Sequence, residues 1–166
     1  LTFTLTDAYE FINDEENSPN DSIVYPSITF AATKPFSDIS KECYKAFFDA
    51  PTSNEIVNKS KDIVKDVKSS LDKVVSIYDY INRKIKLANV NIDENGYTPT
   101  DDATIINSPF LNELDKNYLF TRMVKAIGLN GEMIFYRSNY RSDIQENVGS
   151  LGVFDGCASI VIVDGK

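Results

Sequence analysis

The stretch LNELDKNYLFTRMVKAIGLNGE, residues 111–132, carries a helix signal together with the stop that ends it. Apolar residues recur at spacings of three and four, which predicts a helix from about Asp115 to Ile127 with one face turned inward. The inward residues are Leu119, Met123, Val124 and Ile127. Gly128 follows directly, and glycine readily adopts the left-handed conformation that closes a helix. We expect the helical half of the fold to be built around this segment.

The start of this helix holds two carboxylates, Glu113 and Asp115. The exposed N–H groups and the dipole of a helix N-terminus favour carboxylates by about 0.3–1 kcal/mol each. A solvated helix start therefore explains both residues. An acid–base pair like that of a glycosidase needs two carboxylates that face each other across a cleft. Residues two apart at one helix end do not specify such a pair.

Composition and charge indicate a globular domain and argue against nucleic-acid binding and a membrane span. The 166 residues are 42% hydrophobic and 25% charged, which is typical of a globular domain. The net charge of −8 argues against a nucleic-acid partner, because phosphate binding requires clustered lysine and arginine. No apolar run approaches the roughly 20 residues that cross a bilayer. We expect no membrane span in this chain.

The sequence contains no histidine. This excludes Ser-His-Asp and Cys-His catalysis within the chain, and it removes the commonest metal ligand. The two cysteines, Cys43 and Cys157, cannot form a four-ligand zinc site alone. Whether they pair with each other stays open, because sequence spacing does not decide connectivity. We expect neither a cofactor nor a metal in the functional site.

Three further helices are predicted between residues 37 and 87, each with an apolar stripe at helical spacing. Thr52 and Glu55 fit a capping box at the start of the second helix, and the third is predicted over Leu71–Leu87. The inward residues are Ile39, Cys43 and Phe47 in the first helix, Ile56, Ile63, Val64 and Val67 in the second, and Leu71, Val74, Val75, Tyr78, Ile81 and Ile85 in the third.

The segment Ala88–Leu111 has no period and several turn residues, which predicts a loop. Within it, Asn91–Asp102 resembles a calcium-binding loop, with oxygen-bearing residues at alternate positions and glycine at the sixth. Three features depart from that pattern: the first position is Asn, the last is the shorter Asp, and Pro99 replaces a residue that helps coordinate the ion. A turn-rich surface loop is the simpler interpretation.

Two strands are predicted near the C-terminus, EMIFYR at residues 132–137 and CASIVIV at 157–163, the second followed by an Asp-Gly turn. Alternation along the second strand predicts that Cys157 points with Ser159 into the core. Tyrosine and arginine favour binding surfaces. A sugar or peptide groove is therefore one interpretation of Tyr97 and Tyr136, with Tyr140, Arg137 and Arg141, although strand and loop packing explains them equally well.

The order of four segments resembles the transglutaminase-like domain. These are IYDYINRKIKL at residues 77–87, GYTP at 96–99, NELDK at 112–116 and VKAIGLNGE at 124–132. The resemblance is to the bacterial branch in which that domain follows a β-rich domain of unknown function. In that branch the helix that carries the catalytic cysteine begins with the pattern Gly-Asp-Cys-x-Asp-Lys. Asn112 falls on the Asp of this pattern, Asp115 and Lys116 match its Asp-Lys, and Glu113 falls on the nucleophilic cysteine.

A second match is FDGCASIVIVDGK, residues 154–166, where the family commonly has Phe-Asn-His, an apolar strand and Asp-Gly-Lys. Gly156 falls on the catalytic histidine. A glutamate cannot replace a thiolate nucleophile, and a glycine supplies no proton acceptor. Glu113 and Gly156 are therefore vestigial positions, and we expect no conventional thiol catalysis.

The resemblance implies an α+β fold of the transglutaminase-like or papain-like cysteine-protease type. Its helical half would pack on an antiparallel sheet that is truncated at the C-terminus of this sequence. Residues 1–36, with an alternating stretch at Leu1–Thr6 and a polar segment at Asn13–Ser22, would be the end of the upstream β-rich domain or a linker. Residues 37–166 would be the incomplete transglutaminase-like domain.

The resemblance further implies a non-catalytic binding or interaction module within a larger exported bacterial protein, periplasmic or at the cell surface. Its partners would be a peptide, protein or glycan and other domains of the parent protein. Glu113, Asp115, Tyr97 and Tyr136 are the candidate binding residues. We expect Glu113 to make the cleft acidic and Gly156 to widen it.

Three alternatives stay open. A hydrolase or acyltransferase of the cysteine-protease or transglutaminase type would draw its missing groups from the rest of the parent chain. A structural spacer would have its cleft filled by Phe110, Leu111 and Phe154. Calcium bound through Asn91–Asp102 would stabilise packing.

Overall fold

The computed structural model describes residues 34–90, 92, 96–138 and 149–165. The helices are α1 (Phe36–Phe48), α2 (Asn54–Val64), α3 (Ser70–Lys84), α4 (Asp102–Asn107) and α5 (Glu113–Ala126). The strands are β1 (Lys86–Leu87), β2 (Phe110–Leu111), β3 (Asn130–Tyr136) and β4 (Gly156–Ile162), with a 3₁₀ turn at Leu151–Val153 before β4. The described chain thus mixes helices with two small sheets, as predicted for an α+β protein. In these ranges no helix is both long and apolar enough to cross a bilayer.

Some sequence predictions fall outside the described residues. These include the alternating stretch Leu1–Thr6, the polar segment Asn13–Ser22, and the loop residues Tyr140 and Arg141.

Helix α5 lies at the centre of the core. It packs against α2 and α3 on one side and against β3 and β4 on the other. The predicted inward residues are confirmed: Leu119, Met123 and Val124 are fully buried, and Ile127 lies partly buried against the same core. The helix begins two residues earlier than predicted, because the Asn112 side chain accepts a hydrogen bond from the Asp115 N–H and caps it.

Gly128 ends α5 as predicted. Its φ of +80° lies in the left-handed region. The N–H of Gly128 donates to the carbonyl of Lys125, and the N–H of Leu129 donates to the carbonyl of Val124. These two bonds satisfy carbonyls at the helix end that have no partner within the helix, which is the arrangement of a Schellman motif.

The sheet formed by β3 and β4 is antiparallel, with Gly131 opposite Val161 and Tyr136 opposite Gly156. Residues of one face, including Cys157 and Ser159, point toward α5. The other face carries apolar side chains that are more than 40% exposed: Ile134, Tyr136, Ile160 and Ile162. After β4, Asp164 and Gly165 have φ values of 52° and 78°. Consecutive positive φ values are those of a type I′ hairpin turn, which agrees with the predicted Asp-Gly turn.

The third helix differs from the prediction in its length and in the face that it buries. It ends at Lys84, and Ile77 and Ile81 are its buried residues. Leu71, Val75 and Tyr78, predicted to point inward, are 58%, 48% and 58% exposed. The buried stripe is narrower than predicted: Ile81 and Ile85 lie in the core as expected, and Ile77 extends their spacing of four residues.

The chain becomes extended after α3 because a second segment pairs with it. Lys86 N–H donates to the carbonyl of Pro109, and Ala88 N–H donates to the carbonyl of Leu111. These bonds form the parallel pair of β1 and β2. The sequence of this segment shows a helix period, and the pairing partner lies more than 20 residues away, so local pattern does not reveal the strand.

The segment Ala88–Leu111, predicted to be a loop, contains the short helix α4. The Asp101 side chain accepts from the N–H of Thr104 and caps this short helix. A capping residue three positions before Thr104 was the available signal. The predicted cap of α2 is also wrong by one residue: Ser53, not Thr52, accepts from the N–H of Ile56.

A buried ion pair joins α4 to α5. Arg122 Nε lies 3.5 Å from Asp102 Oδ1 and donates to the Tyr118 hydroxyl at 2.8 Å. Its Nη1 donates to the carbonyl of Ala50 at 2.7 Å. Asp102 also accepts from the N–H of Ser53 at 2.8 Å. Each buried charge therefore has several partners, which is the condition under which a buried pair is tolerated.

This network also bears on the calcium hypothesis. The carboxylate of Asp102, the twelfth position of the proposed loop, is bonded to Ser53, Tyr118 and Arg122 instead of facing that loop. Asn91, Asp93 and Asn95 lie outside the described residues. Among the residues that are described, no group of three or more acidic or cysteine side chains is arranged to hold a metal ion.

Removal of one member of the buried pair is expected to lower the stability of the fold. We expect Asp102→Ala to lower the free energy of unfolding by about 3–5 kcal/mol, because Arg122 keeps its charge in the core without a counter-charge. The matched control is Asp79→Ala, which breaks the exposed pair of Asp79 with Arg83 and should cost less than about 0.5 kcal/mol. Urea denaturation of both variants measures the difference. Equal urea midpoints for the two variants would show that the buried pair stabilises the fold no more than the exposed pair does.

Candidate functional site

Glu113 lies at the first position of α5, directly after its cap Asn112, and is partly exposed. Its Oε1 accepts a hydrogen bond from the Tyr136 hydroxyl at 3.2 Å. The hydroxyl comes from the last residue of β3, so this bond ties the N-terminus of the central helix to the sheet. In the described chain no lysine or arginine lies within ion-pair distance of Glu113.

The ring of Tyr136 lies across Gly156. The two residues are opposite each other in the β3–β4 register. A Cβ built on Gly156 would stand 2.3 Å from Tyr136 Cζ and 2.6 Å from its Oη, far inside any allowed contact. An aromatic side chain thus covers the cross-strand glycine, and no other residue type fits there while the ring keeps this position.

This arrangement overturns one expectation. Gly156 was predicted to widen the cleft, but it is buried and Tyr136 fills the space above it. The structure does bring Glu113 and Gly156 together, since both contact the same tyrosine ring. Burial, followed by the negative charge of Glu113, raises the pKa of Tyr136 above its ordinary value. The phenol therefore stays protonated at neutral pH and acts as a hydrogen-bond donor.

Asp115 does not form part of a solvated helix start. It is only 6% exposed. Its Oδ1 accepts from the N–H of Thr100 and its Oδ2 accepts from the Thr100 hydroxyl, both at 2.8 Å. The carboxylate thereby holds the loop before α4 against the N-terminus of α5. Thr100 was not recognised in the sequence, because a threonine in a loop gives no signal for a distant partner.

Tyr97 has a similar role in joining segments. Its hydroxyl donates to the carbonyl of Phe154 at 2.7 Å, and its ring meets Phe135 edge-on at 5.9 Å. It is partly buried against the core. Of the predicted binding residues, Glu113 and Tyr136 therefore meet at one place, whereas Asp115 and Tyr97 fasten loops nearby.

Cys157 is a core residue, as predicted, and is 1% exposed. It points with Ser159 toward α5, where Asn117 Nδ2 lies 3.7 Å from its sulfur and Ser159 Oγ donates to Asn117 Oδ1 at 2.9 Å. Burial, with a further contribution from the charge of Glu113, raises the pKa of the Cys157 thiol to about 12. Cys43 is also free, so the two cysteines do not pair.

A groove of about 460 Å³ opens beside Glu113, between α3, α5 and β4. Its polar members include Glu113 and Lys116. The other lining residues are Val74, Tyr78, Ile81, Asn82, Leu87, Asn117, Phe120, Ser159 and Val161. Tyr78 and Phe120 meet there edge-on, with ring centroids 6.3 Å apart. The groove was not predicted from the sequence, because the apolar spacing of α3 placed Tyr78 in the core.

Lys116 lies one turn after Glu113 on α5. Its Nζ donates to Asn82 Oδ1 at 2.9 Å, and burial lowers its pKa. The only signal for Lys116 in the sequence was its match to the lysine of the family's Asp-Lys pattern. A second groove, of about 370 Å³, lies between α1 and β3 and is lined mainly by aromatic and aliphatic side chains.

Comparison with known proteins gives a likeness of fold. No family model matches the sequence, and no curated protein matches it. A crystal structure of a putative protease from Parabacteroides distasonis ATCC 8503 superposes with a TM-score of 0.69 at 19% sequence identity. The match covers 86% of this chain and 26% of that protein, so this chain spans about a quarter of its neighbour's length. At this identity the likeness concerns the fold alone.

The contact between Tyr136 and Gly156 can be tested with a double-mutant cycle. We expect Gly156→Ala to lower the free energy of unfolding by about 0.5–1.5 kcal/mol, because the new methyl group displaces the Tyr136 ring and breaks its hydrogen bond to Glu113. In a Tyr136→Ala background the same change should cost less than about 0.5 kcal/mol. Gly152→Ala is the control, since its methyl group would meet only Ser150 Oγ at 3.5 Å. A cost that is identical in both backgrounds would contradict the contact.

The raised pKa of Cys157 predicts an unreactive thiol. A rise in the pKa from its ordinary value of 9.0 to about 12 lowers the thiolate fraction near pH 8 roughly a thousandfold. In a Cys43→Ser variant, iodoacetamide should therefore alkylate the folded protein at least about a thousand times more slowly than the urea-unfolded protein. Mass spectrometry over a time course measures both rates. Similar rates in the two states would show that Cys157 is exposed and ionised.

Proposed function

We propose that this chain is a transglutaminase-like domain of the papain-like type that has lost thiol catalysis and binds amine-bearing ligands beside Glu113. The parent would be a larger exported protein, periplasmic or at the cell surface. The observation that carries the proposal is the contact of Glu113 and Gly156 with one tyrosine ring. These are the two positions that the resemblance assigns to the nucleophile and its base.

The geometry around Tyr136 supports this assignment. A catalytic thiol and imidazole must meet at about 2.6–3.2 Å, which requires that their backbones lie only a few side-chain lengths apart. Glu113 and Gly156 both lie against the Tyr136 side chain, which supports such an arrangement. The fold likeness to the Parabacteroides distasonis protein is in line with a papain-like fold, since that protein is described as a putative protease.

The same residues argue against catalysis. A glutamate at the helix N-terminus is stabilised there but does not supply the thiolate of this chemistry. The sequence has no histidine to act as its base. Cys157 does not substitute for the missing nucleophile, because its thiol faces α5 in the core and has a pKa of about 12.

Glu113 has the properties of a binding residue. It is partly exposed, lies at the edge of the 460 Å³ groove, and accepts a hydrogen bond from a neutral phenol. Within the described part of the chain it has no cationic partner. A ligand amine would supply one, and charge-assisted hydrogen bonds are about twice as strong as neutral ones. A peptide, protein or glycan that carries an amine has the required chemistry.

The alternatives differ in what they require. A hydrolase or acyltransferase completed by other parts of the parent protein is favoured by the description of the structural neighbour as a putative protease. It predicts amide hydrolysis or acyl transfer by the complete parent protein, where the binding proposal predicts neither. A spacer with a filled cleft is less favoured, because Phe110 is 56% exposed and the groove beside Glu113 is open.

The proposal is tested with 3-methylbutylamine, an apolar amine small enough for the groove. We expect it to shift the NMR amide signals of the first turn of α5. Glu113→Gln should weaken binding by at least about tenfold, the equivalent of 1.4 kcal/mol, because it removes a charge-assisted hydrogen bond. The control is Glu55→Gln, which neutralises the acid in the first turn of α2. Binding that is unchanged in Glu113→Gln would refute the proposal.

A further inference from the structure

The groove beside Glu113 has an apolar body and a small number of polar groups. Val74, Leu87, Phe120 and Val161 supply aliphatic and aromatic surface, and Tyr78 stands at its edge with 58% of its surface exposed. A volume of about 460 Å³ lies within the roughly 300–1,000 Å³ typical of small-molecule sites. Most of the bound surface of any ligand here would therefore be apolar.

Two opposite charges line this groove without pairing with each other. Glu113 and Lys116 are three positions apart on α5, a spacing that brings side chains onto the same face. Nevertheless, no ion pair joins them in the described structure. Glu113 is turned toward Tyr136, and Lys116 is turned toward Asn82. Each charge is satisfied only by a neutral group.

Partial burial without a counter-charge favours the binding of an anion by Lys116. Lys116 lines the groove, where partial burial lowers its pKa, and its hydrogen bond to the neutral Asn82 amide supplies no counter-charge. An anion bound in the groove would supply the counter-charge that Lys116 lacks. A simple anion, however, would also meet the negative charge of Glu113 one turn away.

A ligand that carries both charges avoids this conflict. We propose that the groove binds a small zwitterion with an apolar side chain, of the class represented by free leucine, with its ammonium group on Glu113, its carboxylate on Lys116 and its side chain among Val74, Leu87 and Phe120. This proposal rests on the proposed function, since both use Glu113, but it adds Lys116 and the carboxylate. It predicts selectivity that an amine site alone does not have.

Three ligands with one carbon skeleton separate the contributions. L-leucine carries both charges, 3-methylbutylamine lacks the carboxylate, and 4-methylpentanoate lacks the ammonium group. Titrations of the ¹⁵N-labelled protein give an affinity for each. We expect leucine to bind at least about tenfold more tightly than either analogue, because only leucine pairs with both side chains.

Two variants then assign the charges. Lys116→Met keeps the aliphatic stem and should reduce leucine binding to the level of 3-methylbutylamine while leaving the amine's own affinity unchanged or higher. Glu113→Gln should weaken both leucine and the amine. Lys125→Met, on the same helix but outside the groove, is the control and should change neither. Circular dichroism of each variant verifies that it is folded.

The outcomes distinguish this inference from the proposed function. If leucine binds no more tightly than the amine, or if Lys116→Met leaves leucine binding unchanged, the zwitterion site is refuted. Glu113-dependent binding of the amine in that case leaves the proposed function standing. If neither ligand binds, both proposals fall. If 4-methylpentanoate binds most tightly and Glu113→Gln has no effect, the groove is an anion site and both proposals are again overturned.

Discussion

The burial of α5 on two sides is the constraint on which the rest of the structure depends. A helix that contacts other helices on one flank and a sheet on the other buries some of its polar side chains. Asp115, Thr121 and Arg122 are buried with it. Each then requires partners, since an unpaired buried polar group costs about 1–3 kcal/mol and a charge costs more. Those partners come from distant segments: Thr100 for Asp115, Ser159 for Thr121, and Asp102 and Ala50 for Arg122.

The polar groups of α5 therefore organise the chain around it. Arg122 bonds to the α1–α2 connection at Ala50 and to the start of α4, and Asp115 holds the loop that precedes α4. The N-terminus of α5 is also joined to the sheet: Glu113 accepts a hydrogen bond from the Tyr136 hydroxyl, and the Tyr136 ring covers Gly156. The candidate site is thus an extension of the packing around one helix, and its open side is the groove next to Lys116.

The parts of this fold that follow from local pattern were predictable from the sequence. The spacing of apolar residues predicted the inward side of α5 and the strands β3 and β4. Gly128 marked the end of α5. Periodicity did not fix which apolar residues of α3 are buried, because Tyr78 and Ile77 both fit an apolar stripe and only packing chooses between them. It did not reveal α4 or the β1–β2 pair, which are short and depend on contacts made across the fold.

The candidate site divides in the same way. Glu113 and Gly156 were identified from a family resemblance, and the structure brings both to one tyrosine. The sequence did not indicate that this ring would fill the space above Gly156, since cross-strand register is set by the fold and not by neighbouring residues. Nor did it show that Asp115 would be buried, because a carboxylate at a helix start is equally at home in water.

The bond between Thr100 and Asp115 has a consequence for the dynamics of the loop. Loop amides ordinarily exchange their hydrogens with solvent through small local openings, at little cost in free energy. The Thr100 amide instead donates to a carboxylate that is rooted in the first turn of the central helix. For this amide to meet water, its bond to Asp115 must break, and the buried carboxylate then loses its partner in the loop. One residue in an irregular segment is therefore tied to the core, and we expect its amide to exchange more slowly than loop amides that face solvent.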